Sequence, residues 1–178
     1  MEAPTANPPL VQFAQGDREA FEWLFREHQR AVRGWILRIV RDSAAADDLT
    51  IETFWRVYKA HAHFDPKRSF EAWVRRIATN VAIAHLKRQP KTLVELSDAP
   101  VPTHADSAVE RDQRERIRSA LASLPVKLRV PLMLALIEER PQREIAEALG
   151  ISEAAVKSRV FRATQLLRQK LTRMGVTP

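Results

Sequence analysis

Apolar positions in this chain recur at three- and four-residue steps, the period of a helix with one buried face. Asp17 is suited to cap a helix in which Ala20, Phe21, Leu24 and Phe25 share a face. Val32, Trp35, Ile36, Ile39 and Val40 carry the pattern on, in the same hairpin or after a small break. Pro4, Pro8 and Pro9 predict a flexible start, and Arg41-Asp42-Ser43 predicts a turn. A third helix is predicted over 44–58 with Leu49, Phe54 and Val57 inward, and a fourth over 69–88 with Phe70, Trp73, Val74, Ile77, Val81 and Ala84 as its core stripe. Residues 89–106 hold Pro90, Pro100 and Pro102 among scattered Ser and Thr, the composition of a linker. Helical periodicity resumes at Ala108 and runs through Leu121, Leu124, Leu128, Val130 and Leu132, then Leu134 to Ile137. With four glycines and no alternating run between hairpin turns, no strand is predicted. The chain reads as all-α: two small helical domains, over 15–90 and 113–173, joined by a flexible linker over 91–112.

Residues 142–171, QREIAEALGISEAAVKSRVFRATQLLRQKL, spell two helices across a tight turn. Ala146 is small where a second helix must cross, and Gly150 follows at the helix end, where a left-handed backbone favours glycine. Ser152 then caps a second helix that buries Val156, Val160, Ala163, Leu167 and Leu171 on one stripe. Ala154, Lys157, Ser158, Arg159, Arg162 and Gln165 lie on or beside the opposite face, small or cationic groups suited to phosphates and base edges in a major groove. The C-terminal domain is therefore read as a helix-turn-helix. A solvated hairpin without a ligand is the alternative, and the cationic bias favours nucleic acid.

Charge sharpens this reading. The 178 residues carry a formal net charge of +7, which points to a polyanionic partner, nucleic acid before an anionic membrane surface. Residues 67–91 hold seven basic residues against one acidic, and 140–178 hold eight against three, whereas 92–116 hold three against six. Two basic segments thus flank an acidic one, so attraction to a polyanion acts at two places. No cysteine is present, which excludes disulfides and thiolate metal sites. The N-terminus lacks a cationic start followed by an apolar run and no stretch reaches membrane-spanning length, so a cytoplasmic protein without membrane insertion is expected.

The fourth helix carries a second stripe, Arg76, Asn80, Ile83 and Lys87, beside its core stripe. Cations around an amide can hold a phosphate backbone and reach a base, although a solvated face or a buried, satisfied Asn80 has the same spacing. Aromatics gather around the preceding loop, HAHFDPKRS. Phe54, Phe70 and Trp73 are assigned to the core, leaving Trp55, Tyr58 and Phe64 as surface candidates for stacking an unpaired base.

In order, DDLTIETFWRVY, FEAWVRRIATNVAIAHLKRQ, an acidic proline-bearing linker and LASLPVKLRVPLMLALIEERPQREIAEALGISEAAVKSRVFRATQLLRQKL resemble the extracytoplasmic-function sigma factors of bacterial RNA polymerase, from about Gln15 to Leu171. The resemblance implies a non-catalytic transcription-initiation factor that binds core RNA polymerase and promoter DNA and has an anti-sigma factor as a further partner. It places Asp48, Leu49, Glu52, Thr53, Phe54 and Trp55 on the helix that meets the polymerase clamp. The loop 61–69, with His63, Phe64, Lys67 and Arg68, matches the segment that captures a flipped base of the minus-ten element. Trp73, Arg76, Asn80, Lys87 and Arg88 lie on the helix resembling the minus-ten reader. Residues 142–162 match the minus-thirty-five reader, with Gln142, Arg143, Ser152, Glu153, Lys157, Ser158, Arg159 and Arg162 as its contacts. LASLPVKLRVPLML resembles the opening of that domain, which also meets the polymerase flap.

Three positions depart from the family pattern: Ile51 for the usual Gln, Ala84 for the usual Asp, and Ala155 for the usual Thr at the start of the recognition helix. Other classes make different demands. A dimeric operator-binding regulator needs a helix-turn-helix but no polymerase-facing helix, and a sigma-like adaptor that has lost activity would keep the pattern with these departures. An enzyme would need a constellation that is missing: His28, His61, His63, His85 and His104 form neither an HExxH nor a three-ligand spacing, and no glycine loop cradles phosphate. No metal, cofactor or catalytic residue is assigned. His61-x-His63 is read as a bystander pair.

Overall fold

A computed structural model describes residues 8–88 and 108–176, and these hold eight α-helices and no strand. They are α1 (Pro8–Ala14), α2 (Arg18–Val40), α3 (Ser43–Lys59), α4 (Phe70–Arg88), α5 (Ala108–Ala122), α6 (Val126–Leu136), α7 (Gln142–Leu149) and α8 (Glu153–Arg173), with a short 3-10 turn at His61–His63. The chain forms two compact units, one holding α1 to α3 and most of α4, the other holding α5, α6 and α8. The linker expected over 91–112 lies outside the described residues up to 107, as does Pro4. From Ala108 the backbone is helical, so the last part of that expected linker belongs to α5.

Capping explains the boundaries of α2 and α3. Asp17 accepts from the Ala20 amide at 2.7 Å and starts α2, which runs unbroken for 23 residues, so no break precedes the Val32 to Val40 pattern. Arg41, at φ 60°, ends it in the left-handed region, and Asp42 caps α3 through the Ala45 amide at 3.0 Å. The first unit gains one helix over the sequence reading. Pro8 and Pro9 do not mark a flexible start but open α1, because the first helical turn needs no amide donor and proline's fixed φ already suits it.

In this unit Leu24, Val32, Trp35, Ile36 and Ile39 of α2 pack with Leu49, Phe54 and Val57 of α3, all buried. The Trp35 indole Nε1 donates to Thr79 Oγ1 at 2.8 Å, joining α2 to α4 inside the core. The α4 stripe is shifted from its prediction. Phe70, Val74, Ala78, Val81 and Leu86 are buried, whereas Trp73, Ile77 and Ala84 are only half-buried.

In the second unit Leu124, Leu128, Leu132 and Ala163 form a core against which Leu121, Val160, Leu166 and Leu167 pack. Arg129, though charged, is buried there, and its Nη1 donates to the Ala122 carbonyl at 2.9 Å. Burial pushes its pKa down from the ordinary guanidinium value. Arg116 of α5 donates to the Met174 carbonyl at 2.7 Å, tying α5 to the end of α8.

Candidate functional site

Three surfaces carry the residues singled out by sequence. The first lies on α2 and α3. Phe21, Glu22, Phe25 and Arg26 from α2, with Ile51, Phe54 and Trp55 from α3, line an open apolar groove of about 410 Å³. Ile51 is 62% exposed and Trp55 56% exposed, one helical turn apart, so water meets a large apolar ridge there. Asp48 is exposed beside this ridge, and Glu52, half-buried, is ion-paired with Arg56. The Trp55 ring lies 6.3 Å from Tyr58 and carries the Lys59 ammonium 4.7 Å from its centroid. Leu49 and Thr53, assigned to the same contact surface, are buried: Thr53 Oγ1 donates to the Leu49 carbonyl at 2.7 Å, inside the helix. Neither lines the groove.

Asp47, next to Asp48, is paired with Arg33 of α2. The guanidinium hydrogen bond holds the Asp47 carboxyl below its ordinary pKa and raises that of Arg33. The ion pair fixes α3 against α2 at the head of the acidic stretch.

The second surface is the 61–69 loop with the outer face of α4. His63, Lys67 and Arg68 are exposed. Phe64, proposed as an exposed stacking ring, is 5% exposed and sits in a ring cluster 5.0 Å from Trp73 and 5.5 Å from Phe70. An apolar ring in a short loop gains more by burial against these neighbours than by standing in water. Tyr58 is half-buried, 4.9 Å from Phe21, and of the three surface candidates Trp55 alone stands mostly in solvent. On α4, Arg76, Asn80, Lys87 and Arg88 are exposed, so Asn80 is a surface amide and not a buried, satisfied one. Trp73 is half-buried at the edge of the cluster.

The third surface is the pair α7 and α8. Gly150 adopts φ 64° at the end of α7, and Ser152 Oγ accepts from the Ala155 amide at 3.2 Å to start α8. Ala155 therefore costs the helix no cap, since Ser152 supplies it. Val156 and Ala163 are buried, and Gln142, Arg143, Ser152, Glu153, Lys157, Ser158 and Arg162 are exposed, with Arg159 half-buried. Sequence reading passed over Phe161, which is 65% exposed among Lys157, Ser158, Arg162 and Gln165. It continues no core stripe, which was the available signal.

Among the described residues no cluster of three His, Cys, Asp or Glu could hold a metal, and no helix is long and apolar enough to cross a membrane. His61 Nδ1 donates to the Tyr58 carbonyl at 2.8 Å, which occupies one nitrogen of the His61-x-His63 pair.

An apolar groove edged with acid, a basic helix face behind a basic loop and a cationic helix-turn-helix occur in the order that comparison with known proteins also returns. Sigma-70 region 2 matches residues 24–92, and Sigma-70, region 4 matches residues 114–167. The RNA polymerase sigma-H factor of Pseudomonas aeruginosa is 32% identical over 177 residues, covering 91% of this chain and 92% of that protein. The chain belongs to the extracytoplasmic-function sigma factors.

The RNA polymerase sigma factor CarQ of Myxococcus xanthus is 31% identical and covers 91% of this chain and 95% of its own. Among solved structures, CnrH in complex with the cytosolic domain of CnrY is 27% identical, with a TM-score of 0.57 over 93% of this chain and 96% of that one. The sigma factor RpoE of Bartonella quintana, solved with the anti-sigma factor NepR, shares the fold at 21% identity and a TM-score of 0.54, over 85% of this chain and 96% of its own. The two matches make this sigma factor a region 2 segment followed by a region 4 segment.

Proposed function

We propose that this sigma factor binds core RNA polymerase through the α2–α3 groove, places its two basic surfaces on the two promoter elements and stabilises a melted minus-ten element. The reading rests on the groove: Ile51 and Trp55 stand in water beside Asp48 and Glu52, an apolar face edged with acid that calls for a protein partner with apolar and basic groups. A helix with apolar anchors and basic flanks fits it, as the polymerase clamp helices would. Ile51, where the family pattern carries Gln, enlarges the apolar part of this contact.

On the DNA side, Arg76, Asn80, Lys87 and Arg88 of α4 meet the minus-ten element, with His63, Lys67 and Arg68 at the loop that receives an unpaired base. Phe64 and Trp73 form the floor under that loop. Gln142, Arg143, Ser152, Glu153, Lys157, Ser158, Arg159 and Arg162 face the minus-thirty-five element, and Phe161 offers a ring to a thymine methyl. The domains expected over 15–90 and 113–173 are each longer at the N-terminal end, the first by α1 and the second by the start of α5 at Ala108. Opening DNA costs about 1–2 kcal/mol per stacked step, which phosphate contacts and polymerase binding together can offset. The protein acts in the cytoplasm, without catalysis of its own, and an anti-sigma factor that covers the groove would silence it.

Permanganate reactivity of promoter thymines tests this. Holoenzyme should open a short segment that the chain alone leaves paired, and Asn80→Ala should weaken opening without weakening polymerase binding. Tight, promoter-selective duplex binding by the chain alone, with no opening by holoenzyme, would contradict it and favour the operator-binding regulator.

A further inference from the structure

The 61–69 loop is bonded mostly to itself. His63 N donates to the Ala60 carbonyl at 2.9 Å, Phe64 N to His61 at 3.0 Å and Arg68 N to Asp65 at 2.9 Å, while Asp65 Oδ1 accepts from the Lys67 amide at 3.0 Å. These bonds give the loop its shape, and its ends are tied down where His61 Nδ1 donates to the Tyr58 carbonyl of α3 and Ser69 Oγ accepts from the Ala72 amide of α4. Between those ends its seat on the rest of the unit depends on two rings, His61 at its start and Phe64 at its middle. Phe13 of α1, 1% exposed, touches both, with centroids 6.3 Å and 5.9 Å away. The same ring meets Phe70 at 5.6 Å and Trp73 at 6.2 Å, on the helix that carries the proposed minus-ten reader.

A second contact from the same segment acts on the loop. Gly16 adopts φ 91° just after α1, and a Cβ there would lie 3.0 Å from His61 Nε2, so the backbone itself is packed on the imidazole. The Asp17 amide donates to the Gln12 carbonyl at 3.0 Å, and Asp17 caps α2, which ties the end of α1 to the longest helix of the unit. Thus α1 bears on the loop through a ring and a glycine, and its own end is held by α2.

We infer that α1 is a brace for the base-capturing loop and that Phe13 is a positioning residue: it holds His61 and Phe64 so that the exposed His63, Lys67 and Arg68 present a pre-formed rim to an unpaired base. The inference rests on the base-capture reading above. Phe13 touches no DNA itself.

The test uses holoenzyme on a promoter fragment selected with that holoenzyme, scanned with single abasic sites across the melted element. A captured base contributes through stacking and edge contacts, so at one position the wild-type chain should lose roughly tenfold in open-complex affinity when that base is removed. Phe13→Leu keeps most of the apolar bulk but not the ring, and Gly16→Ala keeps Phe13 but crowds His61. Either variant should shrink the abasic penalty to less than about threefold, with affinity for core polymerase unchanged. Phe13→Met, which also lacks the ring, carries the test if Phe13→Leu fails to fold, since alanine at Gly16 also strains a backbone at φ 91°. Variants that bind promoter more weakly but keep the full abasic penalty would overturn the inference alone, showing Phe13 to be core filling. A wild-type chain with no abasic-sensitive position would overturn the base-capture reading and the inference with it.

Discussion

Replacing Trp55 by Ala separates binding from folding on the α2–α3 groove. A tryptophan can bury up to about 250 Å², and with the residue 56% exposed roughly 140 Å² remains for a partner to cover. At about 25 cal/mol per Å², complete coverage contributes about 3.5 kcal/mol and partial coverage about 2, or roughly 30- to 400-fold in Kd. The cost to folding is smaller. Alanine favours the helix, and what is lost inside the chain is a 6.3 Å contact with Tyr58 and the Lys59 ammonium over the ring, each worth about 1 kcal/mol or less at an exposed site. Competition binding to core polymerase, measured beside thermal unfolding of the free chain, gives both numbers. The account expects at least a 30-fold loss of affinity with a shift in Tm of only a few degrees. A loss under threefold would refute the assignment of this groove, and a large drop in Tm would refute the estimate that Trp55 contributes little to folding.

Three further outcomes follow from the other surfaces. Phe161→Ala should relax discrimination at one minus-thirty-five position by about 1 kcal/mol, and replacing a thymine there by deoxyuridine should reproduce the loss in the wild type but not in the variant; an additive effect of the two changes in binding assays would refute the methyl contact. Ser152→Ala removes the α8 cap and should cost about 1 kcal/mol of stability, lowering Tm in calorimetry, whereas Ser152→Asp should retain most of it. Burial against Phe70 pushes the His28 pKa below its ordinary value, partly opposed by the neighbouring charges of Glu27 and Glu71. The folded state then binds fewer protons than the unfolded one, so this stability is present above about pH 6.5 and declines as pH falls from there towards the folded pKa. Denaturant titrations between pH 5 and 8 should show a shallower decline for His28→Gln, and parallel curves would contradict the assignment.

The parts of the fold that were legible are those where local chemistry has few solutions. Gly150 can end α7 in the left-handed region and Ser152 can restart the chain as α8, and both do so. Asp17 likewise opens α2. Helix α1 was illegible because prolines were read as breakers, although the first turn of a helix tolerates them. Phe64 lies against Trp73 and Phe70 as well as Phe13, a cluster from three separate segments that helical period within any one of them does not reveal.

Period placed Leu49 inward, yet its motif placed it on the polymerase-facing surface, and burial decides for the period. Leu136 and Ile137 show the limit of periodicity from the other side. They continue an apolar run but are exposed, because α6 ends at Leu136 and the chain turns away through Glu139 at φ 49°. The exposed ridge of Ile51 and Trp55 was legible only as two apolar residues on a helix, since partner surfaces and cores share a composition and only the packed structure shows which side is uncovered.

The most direct test of the central claim is run-off transcription with core RNA polymerase from the same source, a genomic-fragment library and either the wild-type chain or Asp48→Ala with Glu52→Ala. Both carboxylates lie outside the core, so the double variant should fold. The wild-type chain should give discrete start sites preceded by two shared sequence elements, and the variant should lose them. No transcripts, together with sequence-selective duplex binding by the chain alone, would contradict the central claim.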